Sequence, residues 1–442
     1  MRCILFSIVL LTTLTDAGIA QAQIRLPSAP RSTPQIGGLP EVRTSIRNTE
    51  INFDAGKLID GRISWQRELM RKYPESIELD VAGAPVVRGQ LVAIAPSAIA
   101  LSAFVAAGFV INGERELPGL DTRLVILSPP AKLDLTAALA RLRQIDATGT
   151  YDYNHIYSDS GTVMAPQTPA SPLSSPSTRG GGAGRTVAVN DANKIGLIDG
   201  GVDRNHPALR DLRIEQWGCS GKLVASAHGN AVASIMAGHS GKFAGVLANA
   251  TVYSADVYCG APTGGATDAI VDALAWMARE HVGVINMSLV GPPNVTLERI
   301  LKIITARGHI VVAAVGNDGP SSPPLYPAAY AEVVAVTAVD SRQRILVEAV
   351  RGAHIAFAAP GSEMAAADDS GRFSVVRGTS FAAPIVAALL ARELPAPDRN
   401  AAARAVTALA MSATDLGASG RDPVYGYGLV GMAYRNPVEL AR

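Results

Sequence analysis

The 442 residues exceed what one typical domain holds, so two folded units plus linkers are expected. With 48% hydrophobic and 17% charged residues, the composition suits a compact globular protein and excludes wholesale disorder. A formal net charge of +1 offers no attraction to nucleic acid or to an anionic membrane, so neither is expected as a partner.

The chain opens with Met1-Arg2, an apolar run from Cys3 to Leu11, and the small-residue segment Ala20-Gln21-Ala22. A positive start, a short apolar core and small residues before a cut describe a secretory signal peptide over residues 1–22. The competing reading is a membrane anchor, but the run is short for a bilayer and Asp16 follows it closely. An exported protein, periplasmic or extracellular, is the expectation, with no membrane attachment once the signal is removed. Cys3 leaves with the signal. The remaining Cys219 and Cys259 are expected to pair in an oxidising compartment, rather than to persist as buried thiols.

Residues 23–55 are rich in Pro, Arg, Ser and Thr without a period and read as a flexible leader. The next unit spans 56–157. Pro85 to Pro96 alternates as a strand does, Ser97 to Gly108 is an apolar helix-like run, and Leu124 to Ser128 is a second strand. Leu133, Leu135, Leu139, Leu142 and Ile145 then recur at helical spacing, before an aromatic strand from Tyr151 to Tyr157. This order predicts a small α+β unit of split βαβ, ferredoxin-like kind. Residues 158–190 are dominated by Ser, Pro, Gly, Thr and Ala and read as a linker. Their glycine cluster, Gly180 to Gly184, neither follows a strand nor opens a helix, which argues against a nucleotide loop.

From 191 to 442 strands alternate with helices. Lys194–Ile198, Val252–Val257, Val282–Met287, His309–Val315 and Val333–Val339 are strand-like, several of them continuous apolar runs suited to parallel strands buried on both faces. Helices are expected over His228–Gly238, Thr267–Glu280, Thr296–Arg307, Ser380–Glu393 and Arg399–Ala413. The fold class is therefore α/β, a doubly wound and mostly parallel sheet preceded by the small α+β unit.

In such sheets functional groups gather at the carboxyl ends of strands. Asp199 leaves the strand Ile195–Ile198 into Gly200-Gly201, although a turn aspartate alone would look the same. His228 opens a helix that continues Gly229-Asn230-Ala231; of the seven histidines it alone starts so tight a helix. Ser380 lies in Gly378-Thr379-Ser380-Phe381-Ala382-Ala383-Pro384 at a helix start, where free amides and the helix dipole favour a negative oxygen, but where capping serines are also common. Asn317 follows the apolar strand ending in Val315-Gly316, and its amide could donate to a developing oxyanion or simply form a turn.

Taken together and in this order, Asp199-Gly200-Gly201-Val202-Asp203, His228-Gly229, Val284 to Leu289, Gly316-Asn317, Gly378 to Pro384 and Gly426 to Val430 resemble the subtilisin-like serine proteases. The resemblance covers about residues 193–432, and residues 85–157 more weakly resemble the inhibitory prodomains of the same family. It implies a secreted serine endopeptidase with Asp199, His228 and Ser380 as triad and Asn317 as oxyanion donor, made as a zymogen whose own prodomain inhibits it. It further implies that Ser288, Leu289, Val290 and Gly291 pair with extended protein or peptide substrates. Ala314, Val315, Gly316 and Thr379 would line the pocket for the residue before the cut. Val290 and Leu325 depart from the family's usual small residues, which implies a shallow pocket preferring small or medium side chains. Tyr157 resembles a prodomain terminus but suits such a pocket poorly, leaving the maturation cut open between Tyr157 and Arg185. No cofactor enters the chemistry by this reading, no metal ligand set is identified, structural calcium is allowed for without a site, and a monomer is expected. The alternative is an inactive relative that binds peptides.

Overall fold

A computed structural model describes residues 55–164 and 193–441. The expected signal peptide, the leader up to residue 54 and most of the linker lie outside the described residues. The first part comprises α1 (Ala55–Lys72), β1 (Ile77–Leu79), β2 (Pro85–Ile94), α2 (Ala98–Ala106), β3 (Val110–Leu117), β4 (Thr122–Ser128), α3 (Leu135–Ile145) and β5 (Thr150–His155). Ser97 caps α2 by accepting from Ala100 N, and Asp134 caps α3 by accepting from Ala137 N, which fixes where each helix starts. Leu135, Ala138, Leu139 and Leu142 of α3 turn one face inward, and Phe104 meets Tyr151 edge-on at 5.4 Å. The sheet runs β1-β2-β4-β3 with β5 also along β2, every pairing antiparallel, and the two helices connect strands in a split βαβ order. Strand β3, Val-Ile-Asn-Gly-Glu-Arg-Glu-Leu, escaped the sequence reading because its centre looks like a turn and its polar residues face solvent.

Residues 158–164, expected as part of the linker, instead form β6 (Ser158–Asp159) and β7 (Thr162–Met164). They have no apolar period of their own. Their order comes from ladder bonds to other strands, which sequence pattern cannot reveal.

The second part comprises β8 (Lys194–Asp199), β9 (Arg213–Gly218), α4 (Ala227–Ala237), the small hairpin β10 (His239–Ser240) and β11 (Phe243–Ala244), β12 (Thr251–Asp256), α5 (Thr267–Arg279) and β13 (Val284–Met287). There follow β14 (Leu289–Val290), α6 (Val295–Ala306), β15 (Ile310–Ala314), β16 (Val333–Val339), β17 (Ile355–Pro360), β18 (Ser362–Ala367), β19 (Phe373–Arg377), α7 (Ala383–Glu393) and α8 (Arg399–Ser412). Seven parallel strands lie in the order β17-β16-β15-β13-β8-β12-β9. Successive residues feed opposite faces: Ile310, Val312 and Ala314 of β15 join the core with α4 and α7, whereas Val311 and Ala313 join α5 and α6. Burial on both faces explains the continuous apolar runs read from the sequence. Edge strand β9, with Arg213, Glu215 and Gln216 along its length, lacks that signature and was not anticipated.

The antiparallel sheet packs on the α5 and α6 side, where Val92, Ile94, Leu117, Leu120 and Leu124 join the same apolar cluster. Arg115 closes this contact with ion pairs to Asp268 at 2.8 Å and Asp272 at 2.6 Å. Among the described residues no helix is long and apolar enough to cross a membrane.

Candidate active site

Parallel strands deliver their carboxyl ends to one edge, and Asp199 and His228 meet there. Asp199 ends β8 and is 1% exposed. Its Oδ1 accepts from Gly200 N at 2.7 Å, so the glycine turn orients the carboxylate. His228 sits in the first turn of α4, which Ser226 caps by accepting from Gly229 N at 2.9 Å. A Cβ at Gly229 would strike the carbonyls of Gly200 and Gly201; glycine after the histidine lets the helix press on the turn that holds Asp199. The result is His228 Nδ1 2.9 Å from both carboxylate oxygens of Asp199.

Burial opposes charge on His228, but the Asp199 carboxylate outweighs it through its charge and hydrogen bond, with Asp159 adding to the effect. The imidazole is thereby raised to about 9. Burial also lifts Asp159, which lies close to both His228 and Asp199. His228 Nε2 has no hydrogen-bond partner among the described residues.

Ser380 was expected to begin α7. It lies instead in a short 3₁₀ turn, Thr379–Phe381, that precedes the helix, because Gly378 at φ +140° redirects the chain first. The Ser380 carbonyl accepts from Ser288 Oγ at 2.9 Å, and that hydroxyl in turn accepts from Asn286 Nδ2 at 2.9 Å. The Asn317 Oδ1 accepts from Thr379 N at 3.1 Å, and Thr379 Oγ1 accepts from Gly316 N at 3.1 Å. With its oxygen so occupied, Asn317 can only turn its amide nitrogen toward the cleft.

The cleft is not empty of chain. Strand β6 runs antiparallel to β14, pairing Asp159 with Leu289 and Ser158 with Val290, and β7 runs antiparallel to β19. Between them the Ser160 carbonyl accepts from Asn317 Nδ2, and the Ser160 and Ser380 hydroxyls are hydrogen-bonded to each other. Leu289 and Val290 thus pair with an extended segment, one belonging to the chain itself. Helix α1 reaches the same region, with Arg62 paired to Asp318 beside Asn317.

Leu325, 9% exposed, lies against Gly316: a Cβ built there would fall 2.4 Å from Leu325 Cδ1 and 3.4 Å from Val290 Cγ1. Ala314 and Val315 are fully buried behind it, and Gly291 exchanges backbone bonds with Tyr326. Asn230, for which the sequence suggested no role, donates to the Asp368 carbonyl and accepts from Asp203 N, tying the turn after Asp199 to the end of β18. The contributions of Asp159, Ser160, Gly161 and Asn230 were not found from sequence; glycine and serine in a polar linker carry no signal until a strand pairs with them.

Cys219 and Cys259 form a disulfide. With Asp256 they are the one cluster of metal-ligand residue types among the described residues, but both sulfurs are committed to each other.

Residues 190–428 match the sequence profile of peptidase S8, the subtilase family. The chain is 33% identical over 245 residues to subtilisin DY of Bacillus licheniformis, spanning 54% of this chain and 88% of that one. It is 33% identical over 247 residues to subtilisin BL of Lederbergia lenta, again spanning 54% and 88%. Among solved structures, fervidolysin from Fervidobacterium pennivorans, a keratinolytic enzyme related to subtilisin, superposes with a TM-score of 0.61 at 19% identity. That match covers 82% of this chain and 63% of fervidolysin, and it shows likeness of fold.

Proposed function

Since this chain belongs to the subtilase family of serine endopeptidases, we propose that it is exported as a zymogen and cuts peptide bonds through Asp199, His228 and Ser380. The observation that carries the reading is the buried pair of Asp199 and His228, 2.9 Å apart. The outer nitrogen of that pair is unpartnered beside Gly161, next in the chain to the Ser160 that bonds Ser380. A serine hydroxyl is too weak an acid to attack an amide unaided. Ser380 Oγ adds to the substrate carbonyl carbon while its proton passes to His228 Nε2. Asp199 holds the imidazole with Nδ1–H toward itself and stabilises the cation as it forms. The carbonyl oxygen becomes negative and is met by Asn317 Nδ2 and the Ser380 backbone N–H. His228 then returns the proton to the leaving amine, and water repeats the sequence on the acyl ester.

Residues 56–157 act as the inhibitory prodomain in this reading, and protein or peptide chains are the substrates. The shallow pocket under Leu325 selects small or medium residues before the cut. Intact mass of the exported wild type beside Ser380→Ala, with a casein assay, tests the reading. The wild type should shorten and digest casein, and Ser380→Ala should keep precursor length and no activity. Equal processing of both, with neither digesting casein, would overturn it.

A further inference from the structure

We propose that the first bond this enzyme cuts is its own Ser160–Gly161 peptide, an inference that rests on the self-processing reading above and names its site. Several independent contacts converge on that bond. Its carbonyl oxygen accepts from Asn317 Nδ2, the donor placed for a developing oxyanion. The residue supplying that carbonyl has its hydroxyl on Ser380 Oγ. On the other side, a Cβ built on Gly161 would lie 3.1 Å from His228 Nε2 and 2.7 Å from the Phe381 ring, so the leaving nitrogen's residue sits directly under the imidazole. Gly378 leaves the space: a Cβ there would stand 3.1 Å from both the Gly161 Cα and the Ser160 oxygen.

The flanks hold the bond in register. Upstream, Ser158 and Asp159 pair with Val290 and Leu289; downstream, Thr162, Val163 and Met164 pair with Arg377, Val376 and Val375. A peptide hydrogen-bonded as a strand on both sides of one linkage cannot slip by one residue without exchanging its faces. Tyr157 adds a deeper anchor. It is 1% exposed, its backbone N–H bonds Gly265 O at 2.9 Å, and its hydroxyl donates to Pro292 O at 3.0 Å. Gly291 lies against its ring so closely that no side chain fits there.

Tyr157 is therefore not the residue at the cut but the fourth residue before it. Ser160, the residue before the cut, carries a small side chain whose hydroxyl stays on Ser380 Oγ. In the reaction Ser380 Oγ bonds the Ser160 carbonyl carbon and its proton moves to His228. The carbon–nitrogen bond to Gly161 breaks, and Gly161 leaves as a free amine carrying that proton. Water then gives its hydroxyl to the Ser160 carbonyl and its hydrogen to Ser380 Oγ, so the prodomain ends in a Ser160 carboxylate.

The test follows the full-length exported chain over time, digesting samples with trypsin and identifying peptides by mass. Trypsin releases residues 144–179 from uncut chain, because Arg143 and Arg179 bound them. The expected first product is the peptide 144–160 ending in Ser160, formed by the wild type and not by Ser380→Ala. Gly161→Val should slow its appearance at least tenfold. A synthetic peptide of residues 154–164, given to mature enzyme, should be cut between Ser160 and Gly161, and Tyr157→Ala in that peptide should lower kcat/KM at least tenfold. A wild type whose first prodomain terminus is Tyr157 or any residue other than Ser160 overturns the assignment while leaving self-processing intact. Wild-type cutting of Gly161→Val, or cleavage of the synthetic peptide at another bond, overturns it as well. Formation of the 144–160 peptide by Ser380→Ala at the wild-type rate instead overturns self-processing itself.

Discussion

At the scale of single residues, the chemistry turns on how His228 is held. Burial would keep it neutral, but Asp199 and, to a smaller extent, Asp159 raise it to about 9, and in the proposed reaction only the neutral imidazole would accept the Ser380 proton. Self-cleavage should therefore accelerate as pH rises toward about 9 and level off above it. The charged groups beside the ring are Asp199 from β8 and Asp159 from the seated strand, with Phe381 packed 5.4 Å away as an apolar wall. Replacing Asp159 with Asn removes one source of the upward shift, so the limb moves to lower pH. Rate constants for loss of precursor, measured between roughly pH 6 and 10 for wild type and Asp159→Asn, check this; superimposable profiles would contradict it. Asp199, His228, Asn317 and Ser380 could be singled out in the sequence as candidates because each stands in a segment whose neighbours are as constrained as itself. Gly229 against the Gly200 turn is the physical example. Asp159 was not legible, since its role depends on a pairing between residues far apart in the chain.

At the scale of elements, the disulfide joins the segment after β9 to the segment after β12, two strands already paired through Gly218 and Asp256. The cross-link spans a sequence separation of 40, for which loop-closure entropy corresponds to about 4 kcal/mol at most. Cys219→Ser with Cys259→Ser, in the Ser380→Ala background that prevents self-digestion, should lower the stability measured by denaturant unfolding by up to that amount. An unchanged midpoint would show that the strand pairing alone holds this edge. Elements with strong periods, α3 and α5 through α7 and the central strands, stand close to where the sequence pattern puts them. Strands β3, β6, β7 and β9 were missed because polar side chains and short length hide a strand whose stability comes from its partners.

At the scale of the whole molecule, the antiparallel sheet sits on α5 and α6, and the strand leaving it threads the cleft. Arg115 bridges the two through Asp268 and Asp272. Burial pushes the Asp272 carboxyl up to about 6 against the pull of Arg115. Arg115 is 39% exposed, so its loss should weaken the contact by about 1 kcal/mol. If departure of the cut fragment limits activation, Arg115→Ala should shorten the lag before casein activity roughly fivefold. A lag equal to wild type would place the hold elsewhere, as in the Tyr157 anchor. The sequence by itself determined the α/β architecture and singled out Asp199, His228, Ser380 and Asn317 as the candidate site, because buried parallel strands and tight glycine turns impose local residue patterns and the motifs around those residues resemble the family's. Only the tertiary structure decided which peptide bond lies before Ser380. That choice is made by backbone hydrogen bonds from β14 and β19 to a segment whose own side chains are too small and polar to announce it.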